Sequence, residues 1–397
     1  MRSVSKAVAS VAIASSAALL VAACSSSSSS NKPSSSQVPK VGYTDFNLDF
    51  SAMATIKILA SHGAGKVAAI LPDTVSSIRY EAFDLPNLAK AMTDAGLPNS
   101  DQIIQNAQGS DATEYTDALA DIAKGAKVLI MDPLDPDTGA KIEAYAKSHG
   151  VQVIDYDRMT LGGSRKYYVG FNNVAAGTLL GRGLESCITA WKVTSPKVIV
   201  MRGDPTDSNA TLLAKGYDAV LAPKFSGKAY TDVASPAGTW TPATALSEFR
   251  AAFIKNPNAN ALLSANDENA APIIDFLQTK GIKPKTFPVT GQDATVAGIQ
   301  NIIAGYQCGT VYKPIYLEAQ AAVALAMYLR AGITPPSSLV NGRVTDVDEH
   351  APVRSILLKP IWVTPQRVKS TVVRDGFVSA SQICFSLTKD CAKYGIS

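Results

Sequence analysis

The chain has 397 residues, 46% of them hydrophobic and 18% charged, with a formal net charge of +4 at pH 7. That length accommodates two domains of ordinary size. The charge is too small to indicate nucleic acid or an acidic partner.

The N-terminus carries an export signal. Arg2 and Lys6 precede an apolar run that ends in Val21-Ala22-Ala23-Cys24. A positive start, a short apolar stretch and a small-residue cleavage site form a secretory leader. Ser10, Ser15 and Ser16 interrupt the run, which makes a poor membrane span. Cysteine directly after small residues resembles the lipobox of bacterial lipoproteins, in which that cysteine is acylated. Residues 1–23 are therefore expected to be a signal peptide, and Cys24 the lipid attachment point. A serine tract, Ser25–Ser36, cannot bury a core and reads as a flexible tether. The tether is taken to extend over 24–62. The expected location is outside the cytoplasm, anchored by lipid to the outer face of the cell membrane.

Four cysteines remain after Cys24, an even number in an exported chain, which suggests disulfides. Cys384 and Cys391 are close enough in sequence to close a small loop. Cys187 and Cys308 either pair with each other or remain buried thiols. No cysteine or histidine spacing suggests a metal, and no cofactor motif occurs.

From Lys66 the chain alternates short apolar runs with amphipathic segments. Strands are expected at 66–71, 102–106, 127–131 and 151–154, with helices at 86–95, 111–124 and 138–148. The rhythm restarts after Val169-Gly170-Phe171. Helices follow at 175–188, 209–221, 242–254, 270–279 and 295–304, with strands at 197–201, 229–233, 261–264, 287–290 and 308–312. A long apolar helix at 315–329 and a strand near 355–358 complete the pattern. Such runs, rich in β-formers and not alternating, suit strands buried on both faces. Repeated βα units imply right-handed crossovers and parallel sheets. The expected class is α/β, with two Rossmann-like lobes in series and a cleft between them.

Ligands in open α/β sheets bind beyond the carboxyl ends of the strands. The residues expected there include Asp73, Arg79, Tyr80, Glu81, Asp157, Arg158, Asp204, Asp207, Asn209, Trp240, Asn266, Asp267, Glu268, Gln292, Asp293 and Lys313. Carboxylates and amide oxygens accept from sugar hydroxyls, while Arg, Lys and Asn donate to them. An indole covers the C–H face of a pyranose. Asp111 and Asp267 also suit helix N-caps, and Trp240, just before Thr241-Pro242, suits the start of a helix.

At these residues the chain resembles bacterial type I periplasmic sugar-binding proteins of ABC importers, specifically the D-xylose-binding branch. The matching segments are IRYEAFD at 78–84, YDRM at 156–159, FNN at 171–173, SAND at 264–267, GQDATVAGIQ at 291–300, TVYKPI at 310–315 and TVVRDGF at 371–377. The resemblance implies sugar contacts from Arg79, Asp157 and Arg158 in one lobe. It implies Asn209, Trp240, Asn266 and Asp293 in the other, with Lys313 at the hinge. It also implies three interlobe crossings, near 170–172, 312–314 and 350–354. Lobe 1 would then comprise 63–170 plus 314–350, and lobe 2 would comprise 171–313 plus 351–397. The chain departs from the family at Ser208, in the loop Ser235–Gly238, over Gly42–His62 and in its cysteines.

The expected function is capture of a monosaccharide, D-xylose or a related sugar, and its delivery to an ABC permease with an ATPase. The protein is expected to act as a monomer that meets the membrane only through its lipid. A chemoreceptor ligand carrier remains an alternative. A sugar-responsive regulator would need a DNA-binding segment where this chain has its leader. An enzyme is not expected: none of His62, His149 and His350 lies beside a plausible nucleophile or in a metal spacing, and no GxSxG or P-loop occurs.

Overall fold

A computed structural model describes residues 38–396. The leader, Cys24 and the serine tract lie outside the described residues. The strands are β1 (Lys66–Leu71), β2 (Gln102–Asn106), β3 (Ala126–Met131), β4 (Gln152–Tyr156), β5 (Tyr167–Phe171), β6 (Lys197–Met201), β7 (Thr231–Ala234), β8 (Ala261–Ser264), β9 (Thr290–Gln292), β10 (Gly309–Tyr312), β11 (Gly342–Asp346), β12 (Ala351–Leu358) and β13 (Ile361–Val363).

Seven strands form the first lobe in the order β11-β12-β5-β4-β3-β1-β2. Neighbours pair in parallel except β11 with β12. The second lobe is built from β7-β6-β8 and β9-β10-β13. A single parallel bridge from Leu262 to Val289 joins the two pieces, and β13 runs antiparallel to β10. The parallel core expected from the βα rhythm thus carries an antiparallel strand at one edge of each lobe.

Burial explains the sequence pattern. Val67, Ala69 and Leu71 face one core, while Ala68 and Ile70 face another. The strand is covered on both sides and need not alternate. The helix Ile315–Arg330 is apolar nearly all round, because it sits between the first sheet and the helix Leu85–Asp94. In the second lobe the helices Asn173–Ala190 and Ser208–Ser226 approach closely. A Cβ at Gly177 would overlap the Leu213 main chain, and one at Gly216 would overlap Val174. Glycine permits that approach, and it brings the two helix N-termini side by side.

Three boundaries differ from expectation. Residues 38–62, read as part of the tether, pack onto lobe 1. Val41, Phe46, Phe50, Met53, Ile56 and Leu59 are buried in its core. The Tyr328 hydroxyl donates to the Pro39 carbonyl at 2.6 Å. The serine tract masked this, because composition alone does not show where a tether stops. The third crossing also falls later than 350–354. β12 pairs with β5 from Ser355–Tyr168 through Leu358–Phe171, so the chain leaves lobe 1 only after Leu358. An apolar run reveals a strand but not its partner. Finally, Asn266 and Ser110, not Asp267 and Asp111, are the N-caps of their helices, which begin at Asp267 and Asp111.

The cysteines form two pairs. Cys187 joins Cys308 with Cα atoms 6.0 Å apart, and Cys384 joins Cys391 at 5.9 Å. The first ties the helix Asn173–Ala190 to the segment entering β10. The second closes the C-terminal turn.

Candidate functional site

The strands of both lobes point their carboxyl ends at one cavity. All eight residues singled out from the sequence line it: Arg79, Asp157, Arg158, Asn209, Trp240, Asn266, Asp293 and Lys313. Ser76, Ser77, Tyr80, Asn173, Asp207, Leu213 and Gln292 complete the lining. Tyr80, Asp207 and Gln292 were visible as strand-end residues. Asn173 stands inside the FNN segment, one position past its capping neighbour. Leu213 lies one helical turn after Asn209, on the same face. Only Ser76 and Ser77 carried no sequence signal beyond preceding IRYEAFD.

Arg79 follows β1 and is almost completely buried. It donates to Asp84 at 2.8 and 2.7 Å, to Asp157 at 2.8 Å and to Glu318 at 2.6 Å. Burial opposes its charge, but Asp157, Asp84 and Glu318 outweigh that cost and hold it firmly protonated. Glu318 was missed in the sequence because it lies on the first turn of a helix that otherwise reads as pure core. Burial pushes its carboxyl up to about 8, Arg79 pulls it down, and Asp157 and Asp84 raise it further.

Asp157 follows β4. Burial would raise its pKa, but Arg79, Lys313 and Arg158 outweigh burial and set it at about 2. The Tyr80 hydroxyl donates to its second oxygen at 3.0 Å. Arg158 donates to Ser76 at 3.0 Å and lies 3.7 Å from Asp207 and 3.9 Å from Asp132. Asp132 directly follows β3, is fully buried, and has no hydrogen-bond partner on either oxygen among the described residues. Burial and then Asp157 push its carboxyl well up, against Arg158. Lys313, just past β10, faces Asp293 at 3.0 Å and Asp157 at 3.9 Å. Burial opposes its charge, and the two carboxylates more than restore it.

The second lobe contributes amides and an indole. Asn173 donates to Asn209 at 2.7 Å, a direct result of the paired helix N-termini. Asn266 accepts from the Asn269 main-chain N–H at 3.1 Å, while its NH2 group has no partner among the described residues. The Trp240 indole N–H donates to Asp207 at 2.9 Å.

The lobes touch around the cavity. Asn209 donates to the Asp157 carbonyl at 3.0 Å, Ser77 to Glu268 at 3.0 Å and Ser208 to the Met159 carbonyl at 3.4 Å. Phe83 stacks on Phe377 with ring centres 3.8 Å apart. This is a closed arrangement.

Chemically, the site presents cations and carboxylates in alternation, amide donors and one apolar wall. Asp157 and Asp293 both face Lys313. No group of three or more His, Cys, Asp or Glu is arranged to hold a metal among the described residues.

Comparison with known proteins places this geometry. The family model described as "Periplasmic binding protein domain" matches residues 68–334. The chain is 33% identical over 283 residues to the D-xylose-binding periplasmic protein of Escherichia coli (strain K12), covering 70% of this chain and 82% of that protein. A carbohydrate transporter solute-binding protein from Chloroflexus aurantiacus, solved in complex with D-glucose, aligns with a TM-score of 0.69 at 27% identity. The alignment covers 80% of this chain and 97% of that one. An ABC transporter solute-binding protein from Clostridium phytofermentans, solved with β-D-glucose, has a TM-score of 0.70 at 24% identity. It covers 80% of this chain and 99% of that one, and shows likeness of fold.

Proposed function

Because the chain belongs to the periplasmic binding protein domain family, we propose that its interlobe cavity captures a neutral monosaccharide, D-xylose being the first candidate and a hexose such as glucose the second. The protein is a solute-binding protein, not an enzyme, and it delivers a monosaccharide to an ABC importer's permease and ATPase. D-xylose and D-glucose are the sugars named for the relatives above.

One observation carries the ligand class. Both lobes contribute charged groups of both signs to one cavity, beside an indole. Arg79, Arg158 and Lys313 alone would suit an anion. Asp157 and Asp293 stand among them and repel one. A polyhydroxylated neutral ligand satisfies both signs, since each hydroxyl donates and accepts. Arg79, Asp157, Arg158, Asn209, Asn266, Asp293 and Lys313 would bind its hydroxyls, and Trp240 would cover its C–H face.

Calorimetry over pentoses, hexoses, polyols and sugar phosphates tests the reading. Binding of a neutral sugar is expected. Binding of a sugar acid or phosphate, with no neutral sugar bound, overturns it.

Lipid anchoring at Cys24 rests on Val21-Ala22-Ala23-Cys24 and the serine tract behind it. A Cys24→Ala protein should be released or left unprocessed. If it fractionates with membranes at the mature size, Cys24 is not the anchor.

A further inference from the structure

Trp240 sits in a loop, not on a strand or helix, so something other than secondary structure must fix its ring. The loop joins β7 to the helix Pro242–Lys255.

Four contacts define that seat. The indole lies directly on Gly203, where a Cβ would overlap Cζ2 and Cη2 of the ring. Gly238, with φ +103°, lies on the Arg202–Gly203 main chain so closely that a Cβ there would collide with it. The Thr239 carbonyl accepts from the Asn269 side chain at 2.8 Å. The indole N–H is held by Asp207 at 2.9 Å. Asp207 is itself fixed, because it accepts the Asn209 main-chain N–H at 2.8 Å at the helix start. Gly203 is buried and does not line the cavity. It acts only through the ring.

We infer that Gly203 is a positioning residue that sets the depth of the apolar wall, and thereby the size of sugar the cleft accepts. The argument is steric. Loop and indole N–H are both tethered, so a side chain at position 203 can be relieved only by moving the ring away from it. The open side is the cavity that Trp240 lines. Glycine at 203 therefore keeps the wall as far back as the main chain allows. A pentopyranose and a hexopyranose differ by one hydroxymethyl group, and one such group in a tight pocket is worth tenfold or more in discrimination. This rests on the proposed sugar-binding reading and adds to it the residue that adjusts the room for the substituent at C5.

The test is calorimetry with D-xylose and D-glucose on wild type, Gly203→Ala, Trp240→Phe and the double variant. Gly203→Ala is expected to weaken D-glucose about tenfold more than D-xylose. Trp240→Phe, which lacks the atoms that would meet the new methyl, should move the ratio the other way. The double variant should regain D-glucose relative to Gly203→Ala alone, a rescue that general loss of structure does not produce. Equal weakening of both sugars by Gly203→Ala, or an unchanged ratio in Trp240→Phe, overturns the inference. If Gly203→Ala fails to fold, the Trp240→Phe ratio decides alone. Wild-type protein that binds no neutral sugar overturns the ligand class itself, and is told apart because it needs no variant.

Discussion

Asp157 and Asp293 occupy corresponding places in the two lobes. Each directly follows a central parallel strand, β4 or β9. Each donates its main-chain N–H to a neighbouring strand, at 2.9 Å to Val169 and 2.8 Å to Val311. Each has positive φ, 55° and 89°, in a region non-glycine residues rarely enter. Both carboxylates face Lys313. Backbone strain of this kind persists where the surrounding structure imposes it, and it clusters at ligand sites.

The first prediction concerns Asp293. Its removal leaves the Lys313 ammonium and bound hydroxyls without an acceptor, at a cost of about 1–3 kcal/mol. Asp293→Ala should therefore lower sugar affinity about tenfold to a hundredfold. Isothermal titration with D-xylose reads this directly. Unchanged affinity would remove Asp293 from the site.

The lobes should part when empty. Their contacts across the cleft combine hydrogen bonds, among them Asn209 to Asp157 and Ser77 to Glu268, with the stacked Phe83–Phe377 pair. A ligand that touches both lobes favours the closed state by its differential contacts. Small-angle scattering should show a smaller radius of gyration at saturating sugar. An identical profile with and without sugar would contradict closure.

Both disulfides should be present in exported protein. Cys187–Cys308 spans 121 residues and Cys384–Cys391 spans 7. Loop-closure entropy assigns about 5 kcal/mol to the long loop and about 2 kcal/mol to the short one. Cys187→Ala/Cys308→Ala should therefore lower the Tm more than Cys384→Ala/Cys391→Ala. Unreduced peptide mapping checks the pairing, and four free thiols would refute it.

Glu114 should make stability depend on pH. It lies buried on the helix Asp111–Ala123 and accepts from the Leu134 N–H at 3.3 and 3.2 Å. Burial pushes its carboxyl up to about 8, against the Leu134 bond, and Asp111 adds to the rise. The folded state then binds the proton more tightly than the unfolded state. Stability from this group is complete below the unfolded value near 4.5 and is lost as pH rises through about 8. Glu114→Gln, which keeps an acceptor and cannot ionise, should gain Tm relative to wild type between pH 5 and pH 8. A difference in Tm that stays constant across that range would show that Glu114 does not titrate there.

The sequence by itself determined the α/β class, most of the strands and the polar residues that end them. Apolar runs such as Lys66–Leu71 and Lys197–Met201 are local signals, and the fold must bury them wherever they fall. The tertiary structure alone decided the partners. β12 reads as an apolar strand in any sheet, and only its register with β5 assigns it to lobe 1. Phe46, Phe50 and Met53 are too sparse to announce a core until the helix Ile315–Arg330 lies beneath them. Glu318 and Asp132 look like ordinary acids in sequence; burial beside Arg79 and Arg158 places them in the site's electrostatics. The seat of Trp240 depends on Gly203, 37 positions away in the chain, because close packing is set by which main chains meet in space, and no local pattern encodes that.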